Sequence, residues 1–181
     1  MLVTKGHAAS IVSVHRVGKG RKICRLPSHE LKEEDNPGMF APSQNDVRQF
    51  FCETLRKQQD HLPLTTMELT AGDWIAQHPE YHPELADLPT ALAAVYDVQT
   101  GRTNPFLHLS MHLSITEQIG IDQPRGIKQA YELLVRRLGS AHAAQHEIME
   151  CLGEMIWESQ RSGLPPDGEK YLEGVRRRAT R

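Results

Sequence analysis

Residues 104–118 read NPFLHLSMHLSITEQ. Asn104 can accept hydrogen bonds from the orphan amides of a first helical turn, and Pro105 has no amide to leave unsatisfied, so the pair is a strong start signal. The spacing predicts a helix over about 105–119, stopped at Gly120. At about 100° per residue, His108, His112, Ile115 and Ile119 fall in one narrow sector of its wheel. Leu109 and Leu113 flank that sector on one side, Leu107 and Met111 on the other, and Ser110, Ser114 and Glu117 collect opposite. Both imidazoles are therefore expected to point at the middle of a buried face.

Outward from this segment the signals remain helical. Ser43 is a candidate N-cap for a helix to about Asp60, with Val47, Phe50, Phe51 and Leu55 as its buried stripe. Thr65 and Glu68 have the spacing of a capping box, followed by Met67, Ala71, Trp74, Ile75 and His78 on one face, and Pro79 stops that helix. HPEYHPEL favours short turns, because each proline disfavours helical backbone in the residue before it. A short helix over about 89–96 and the loop QTGRTN follow. Pro124 is expected to open a helix with the stripe Ile127, Ala130, Tyr131, Leu134 and Leu138, ended by Gly139. Ser140 caps a long helix to about Ser162, and GLPPDG separates it from a last basic helix over about 169–178. No segment alternates as a strand does, so the expected fold class is all-α, an antiparallel bundle of about five helices.

The chain has 181 residues with 21 Lys+Arg, 23 Asp+Glu, ten His and three Cys. That length suits one domain. Residues 1–38 carry seven Lys+Arg, no aromatic residue and no sustained apolar period; they read as a flexible leader that ends in HELKEEDNPG. Ordered patterning begins after Met39, which is read as either the true start or the first residue of a folded domain over 39–181. A net charge of −2 gives no global cationic field for nucleic acid or acidic membranes. No apolar run is long enough to cross a bilayer. Cys24, Cys52 and Cys151 form no CxxC, and a reduced, cytoplasmic protein is the simplest expectation.

Three His pairs stand four residues apart: His78 with His82, His108 with His112, and His142 with His146. This spacing stacks two side chains on one helix face, within reach of a single ion. On the long helix the wheel places His142, His146, Met149, Gly153, Ile156 and Gln160 together, with Glu150 at the edge; Gly153 is read as making room for a neighbour or a bound group. A buried neutral imidazole has one donor and one acceptor to satisfy, and a shared metal ion explains several such rings at once. The expected ligands are His78, His108, His112, His142, His146 and Glu150, with His82 and Glu154 as further candidates. Imidazole suits iron or zinc among transition metals, and a carboxylate can bridge two ions. Phe50, Phe51, Trp74, Phe106 and Trp157 are read as core anchors. Cys151 lies on the far side of its helix from the His sector.

The motifs MFAPSQ, HPEYH, NPFLHLSMHLSITEQ, IDQPRGI and HAAQHEIMECLGEMIW together resemble a bacterial family designated domain of unknown function 1841, over about residues 39–176. The resemblance implies a small helical protein and supplies no activity. A looser similarity is to hemerythrin-like and DinB-like metal bundles, although the ligand order here differs from both.

Three functions compete on the sequence. The first is a metalloprotein holding one or two ions of iron or zinc. The second is a metal-free interaction module whose histidines sense pH. The third is a nucleic-acid accessory that uses the basic leader and Arg176–Arg178. The sequence names no partner and is compatible with a homo-oligomer. GxSxG, P-loop, GxGxxG and HExxH motifs are all missing, which disfavours a conventional hydrolase and leaves open whether the protein is an enzyme.

Overall fold

The computed structural model describes residues 42–96 and 103–181. The leader, Met39 and most of the QTGRTN loop lie outside the described residues. The fold is all-α: α1 (Gln44–Gln59), α2 (Thr66–Gln77), a 3-10 turn (Pro79–Tyr81), α3 (His82–Leu85), α4 (Leu88–Ala93), α5 (Pro105–Ile121), α6 (Ile127–Leu138), α7 (Ala141–Ser162) and α8 (Gly168–Ala179). Gln44–Arg181 form one compact unit. No helix among the described residues is long and apolar enough to cross a membrane.

Side-chain chemistry at the helix ends explains most of the boundaries. Thr65 and Glu68 form the reciprocal capping box at the start of α2. Asn104 accepts from the amides of Phe106 and Leu107, Ser140 from Ala143, and Asp167 from Glu169 and Lys170. Gly139 and Gly163 take the left-handed conformation that closes α6 and α7. Three boundaries differ from expectation. The short helix expected over about 89–96 ends at Ala93, with Ala94 already extended. Gly120 stays helical, and α5 ends at Ile121 with Asp122 left-handed as its cap. The following helix begins at Ile127 instead of Pro124, because Asp122 Oδ1 gathers the amides of Gly126 and Lys128 and so occupies the intervening residues in a turn.

Two apolar clusters flank α5. One joins Phe51, Leu55, Ala71, Trp74, Ile75, Leu85 and Ala91 to Phe106 and Leu109. The other joins Ile115 to Ile127, Leu134, Ile148, Leu152, Leu172 and Val175. α5 thus belongs to both halves of the core. His108 and His112 sit on it between Phe106 and Leu109 on one side and Ile115 on the other. Ser110, expected on the polar face, is buried and donates to the Phe106 carbonyl at 2.6 Å. That burial follows from packing on more than one side of α5, which touches α1, α2, α6 and α7.

Three apolar assignments are corrected. Trp157 is 57% exposed and lies under the Arg161 guanidinium, so it is no core anchor. Met67 is 58% exposed, outside the buried face of α2. A Cβ placed on Gly153 would meet nothing within 4 Å, so no neighbouring helix requires a glycine there.

Truncating Leu134, which is fully buried, to Ala should cost about 2–5 kcal/mol, whereas Trp157→Ala should change stability by less than about 0.5 kcal/mol. Thermal or urea unfolding of the two variants checks this contrast. Comparable losses would contradict the assignment of the core.

Candidate metal centre

Three elements deliver five imidazoles to one place. His78 is the C-cap residue of α2, where its own amide bonds to the Ile75 carbonyl and Pro79 forces the chain to turn. His108 and His112 stand one turn apart in the middle of α5, and His142 and His146 one turn apart near the start of α7. Ring centroids in nine of the ten pairs among these residues, all but His108 with His142, lie between 4.5 Å, for His142 with His146, and 5.8 Å, for His78 with His146. Nε2 of His78 is 3.0 Å from Nε2 of His112 and 3.1 Å from Nε2 of His142; Nε2 of His112 is 3.2 Å from Nε2 of His108. Nε2 of His146 is buried without a hydrogen-bond partner. One nitrogen each from His78, His108, His112 and His146 lies within 4.8 Å of all the others.

The surrounding hydrogen bonds determine which nitrogens carry protons. Thr116 donates its single hydroxyl hydrogen to the His112 carbonyl at 2.8 Å. Its oxygen accepts from Trp74 Nε1 at 3.0 Å and from Gln145 Nε2 at 3.1 Å. Trp74 can only donate, and the Gln145 amide nitrogen is committed to Thr116, so the Gln145 oxygen must face His112. That oxygen lies 2.9 Å from His112 Nδ1, which therefore carries the proton and leaves Nε2 as a bare lone pair. At His78, Nδ1 donates to the Glu80 carboxylate at 2.8 Å, which leaves Nε2 bare in the neutral ring. With both rings neutral, two unprotonated nitrogens face each other across 3.0 Å in a buried site.

Three of the nitrogen–nitrogen contacts match neighbouring positions in a coordination sphere, while the mutual group within 4.8 Å comprises His78, His108, His112 and His146, and His142 reaches it through His78. With metal–nitrogen bonds of about 2.0–2.1 Å, neighbouring ligands lie about 2.9 Å apart at right angles and about 3.4 Å apart at the tetrahedral angle. The observed contacts of 3.0, 3.1 and 3.2 Å fall within that interval. The anchoring of His78 and His112 through Nδ1, by a carboxylate and an amide oxygen, is how metal-binding imidazoles are oriented.

Electrostatics favour neutral rings at His108, His112, His142 and His146. Burial, with neighbouring imidazoles adding to it, pushes His108 down to about 4. Burial pushes His112 down to about 3, against the hydrogen bond that its Nδ1 donates to the Gln145 oxygen. His142 and His146 are lowered by burial and then by adjacent histidines. Glu80 is held below the ordinary carboxylate range by its hydrogen bond with His78. Trp74 stacks on His112 with centroids 4.1 Å apart at 11°, and Tyr81 stacks on His78 at 5.2 Å and 16°. The opposite side is open: His142 and His146 line a cleft of about 470 Å³ together with Ser140, Ala143, Glu147 and Glu150.

Not every candidate joins the cluster. His82 turns away, and its Nε2 lies 3.0 Å from the Ile75 carbonyl at the end of α2. Glu154 is exposed and 3.4 Å from Arg178. Glu150 is exposed on the wall of the cleft, apart from the converging nitrogens. The sequence reading did not single out Glu80, Gln145, Thr116 or the stacking role of Trp74. Glu80 sits inside HPEYH two residues after His78, which was its visible signal; Gln145 stands directly before His146, but only the assembled fold pairs it with His112.

The family profile described as "Domain of unknown function (DUF1841)" matches residues 43–177. Neither the curated proteins nor the solved structures include a significant match.

Metal-depleted protein should lose stability on acidification. For His108 and His112 the folded values lie below the ordinary 6.5, so unfolded chain binds more protons between those limits. Their contribution is fully present above about pH 6.5 and declines as pH falls toward 4 and then 3. Melting in chelator at pH 7.5 and pH 5 should give a lower midpoint at pH 5. His112→Gln should flatten the difference, and equal midpoints in the unsubstituted protein would contradict the burial of these rings.

Proposed function

Starting from membership of the DUF1841 family, to which the chain belongs and which brings no activity with it, we propose that this protein binds one transition-metal ion, iron or zinc. The ligands are Nε2 of His78, His108, His112, His142 and His146. One observation carries the reading: Nε2 of His78 and Nε2 of His112 face each other at 3.0 Å, and with both rings neutral their lone pairs repel unless a cation lies between them. A proton could fill that place in a metal-free module, but one proton satisfies a single nitrogen pair, whereas Nε2 of His108 and of His142 also converge there and Nε2 of His146 has no partner. Had the histidines served only packing, each pair would find its own carbonyl, as His82 does. The all-nitrogen donor set suits zinc, iron, copper or nickel better than magnesium or calcium. A nucleic-acid role draws little support from the tail, where Arg178 is paired with Glu147 and Glu154.

Protein purified without a His tag should contain about one equivalent of iron or zinc by elemental analysis. Metal-depleted protein should regain it with a rise in melting temperature that grows with metal concentration. Glu80→Gln, which retains a hydrogen-bond acceptor and removes the charge behind His78, should weaken affinity by about 10–100-fold. Substoichiometric metal after reconstitution of folded protein, or unchanged affinity in His112→Ala, would overturn the proposal.

A further inference from the structure

The metal site is closed on one side and open on the other. Trp74 and Tyr81 cover His112 and His78, while His142 and His146 belong both to the cluster and to the wall of the 470 Å³ cleft. Five imidazoles fill at most five of the six positions that iron, cobalt or nickel commonly accept. A position left over would lie toward the cleft, because His142 and His146 line it while Trp74 and Tyr81 stack on the rings of His112 and His78.

Charge decides what that position takes. Five neutral imidazoles leave a divalent cation with its full charge in a partly desolvated pocket, and the carboxylate of Glu80 is the only one that hydrogen-bonds to a ligand imidazole among the described residues. An uncompensated buried charge is costly, so an anion gains more than a neutral ligand of the same size. Two carboxylates line the cleft. Glu147 is neutralised by Arg178 at 2.9 Å, whereas Glu150 has no hydrogen-bond or ion-pair partner among the described residues. Glu150 therefore supplies negative charge at the mouth of the cleft without coordinating.

We infer that the centre takes one small monodentate anion from the cleft, at a coordination position beside His142 and His146, and that Glu150 sets the affinity for it by repulsion. This rests on the metal-binding reading and adds the class of exogenous ligand. Ligands of this class are small and oxygen- or nitrogen-donating, since the ligand shell already carries five side chains and Ser140, Glu147 and Glu150 stand on the wall of the cleft.

The test uses full-length protein loaded with cobalt(II), whose visible absorption reports coordination, and titrates it with sodium azide at fixed ionic strength. A saturable spectral change is expected, and Glu150→Gln should tighten azide binding by about three- to tenfold. Glu150 is exposed, so this variant should fold and take up cobalt as the parent does. Failure to take up cobalt overturns the metal reading and this inference with it. Cobalt uptake with no response to azide leaves the metal centre standing and overturns the open position. An azide response of equal affinity in parent and Glu150→Gln overturns the role of Glu150.

Discussion

Two imidazole nitrogens facing each other across 3.0 Å, with no room for a lone pair on both, are the constraint around which the site is built. Neither His78 nor His112 can relieve it by changing tautomer. His78 Nδ1 faces a carboxylate, and His112 Nδ1 faces an amide oxygen whose orientation Thr116 and Trp74 have already decided. Reversing any one of these bonds would leave a buried donor or acceptor unpaired, at about 1–3 kcal/mol each. The network is self-consistent only when a positive charge sits among the Nε2 atoms.

The fold serves this arrangement through α5. The helix contributes Phe106 and Leu109 to one half of the core and Ile115 to the other, so its middle turn lies where the halves meet. A helix docked on both sides has little freedom to rotate, which fixes the direction of His108 and His112. The same turn carries Thr116, so the residue that orders Gln145 is held by the packing that orders the imidazoles. His78 reaches the site because Pro79 ends α2 there and redirects the chain.

Much of this was legible in the sequence, for physical reasons that also explain the failures. Helix starts at Thr65, Asn104 and Ser140 could be read because capping is local chemistry at fixed spacing. The convergence of His108, His112, His142 and His146 could be anticipated because two pairs at helical spacing share a face. Trp157 departs from expectation because residue type alone suggests an anchor, whereas it lies outside the inward sector of α7 and is exposed against Arg161. Glu150 was grouped with the ligands because one turn separates it from His146, yet at the edge of the sector its side chain falls on the cleft wall. Gln145 and Thr116 carried no sequence signal, since their roles depend on contacts between α5 and α7. Pro124 was read as a helix start from its residue type alone, and the competing Asp122 turn became visible only with its amide partners in place.

X-ray absorption at the metal edge tests the central claim most directly, because it counts and identifies the atoms bound to the ion. Four to five nitrogen scatterers at about 2.0–2.2 Å, with the outer-shell pattern of imidazole rings, are the expected result. A shell dominated by sulfur, or by oxygen with at most one imidazole, would place the ion elsewhere on the protein and contradict the convergence of His78, His108, His112, His142 and His146 on a metal.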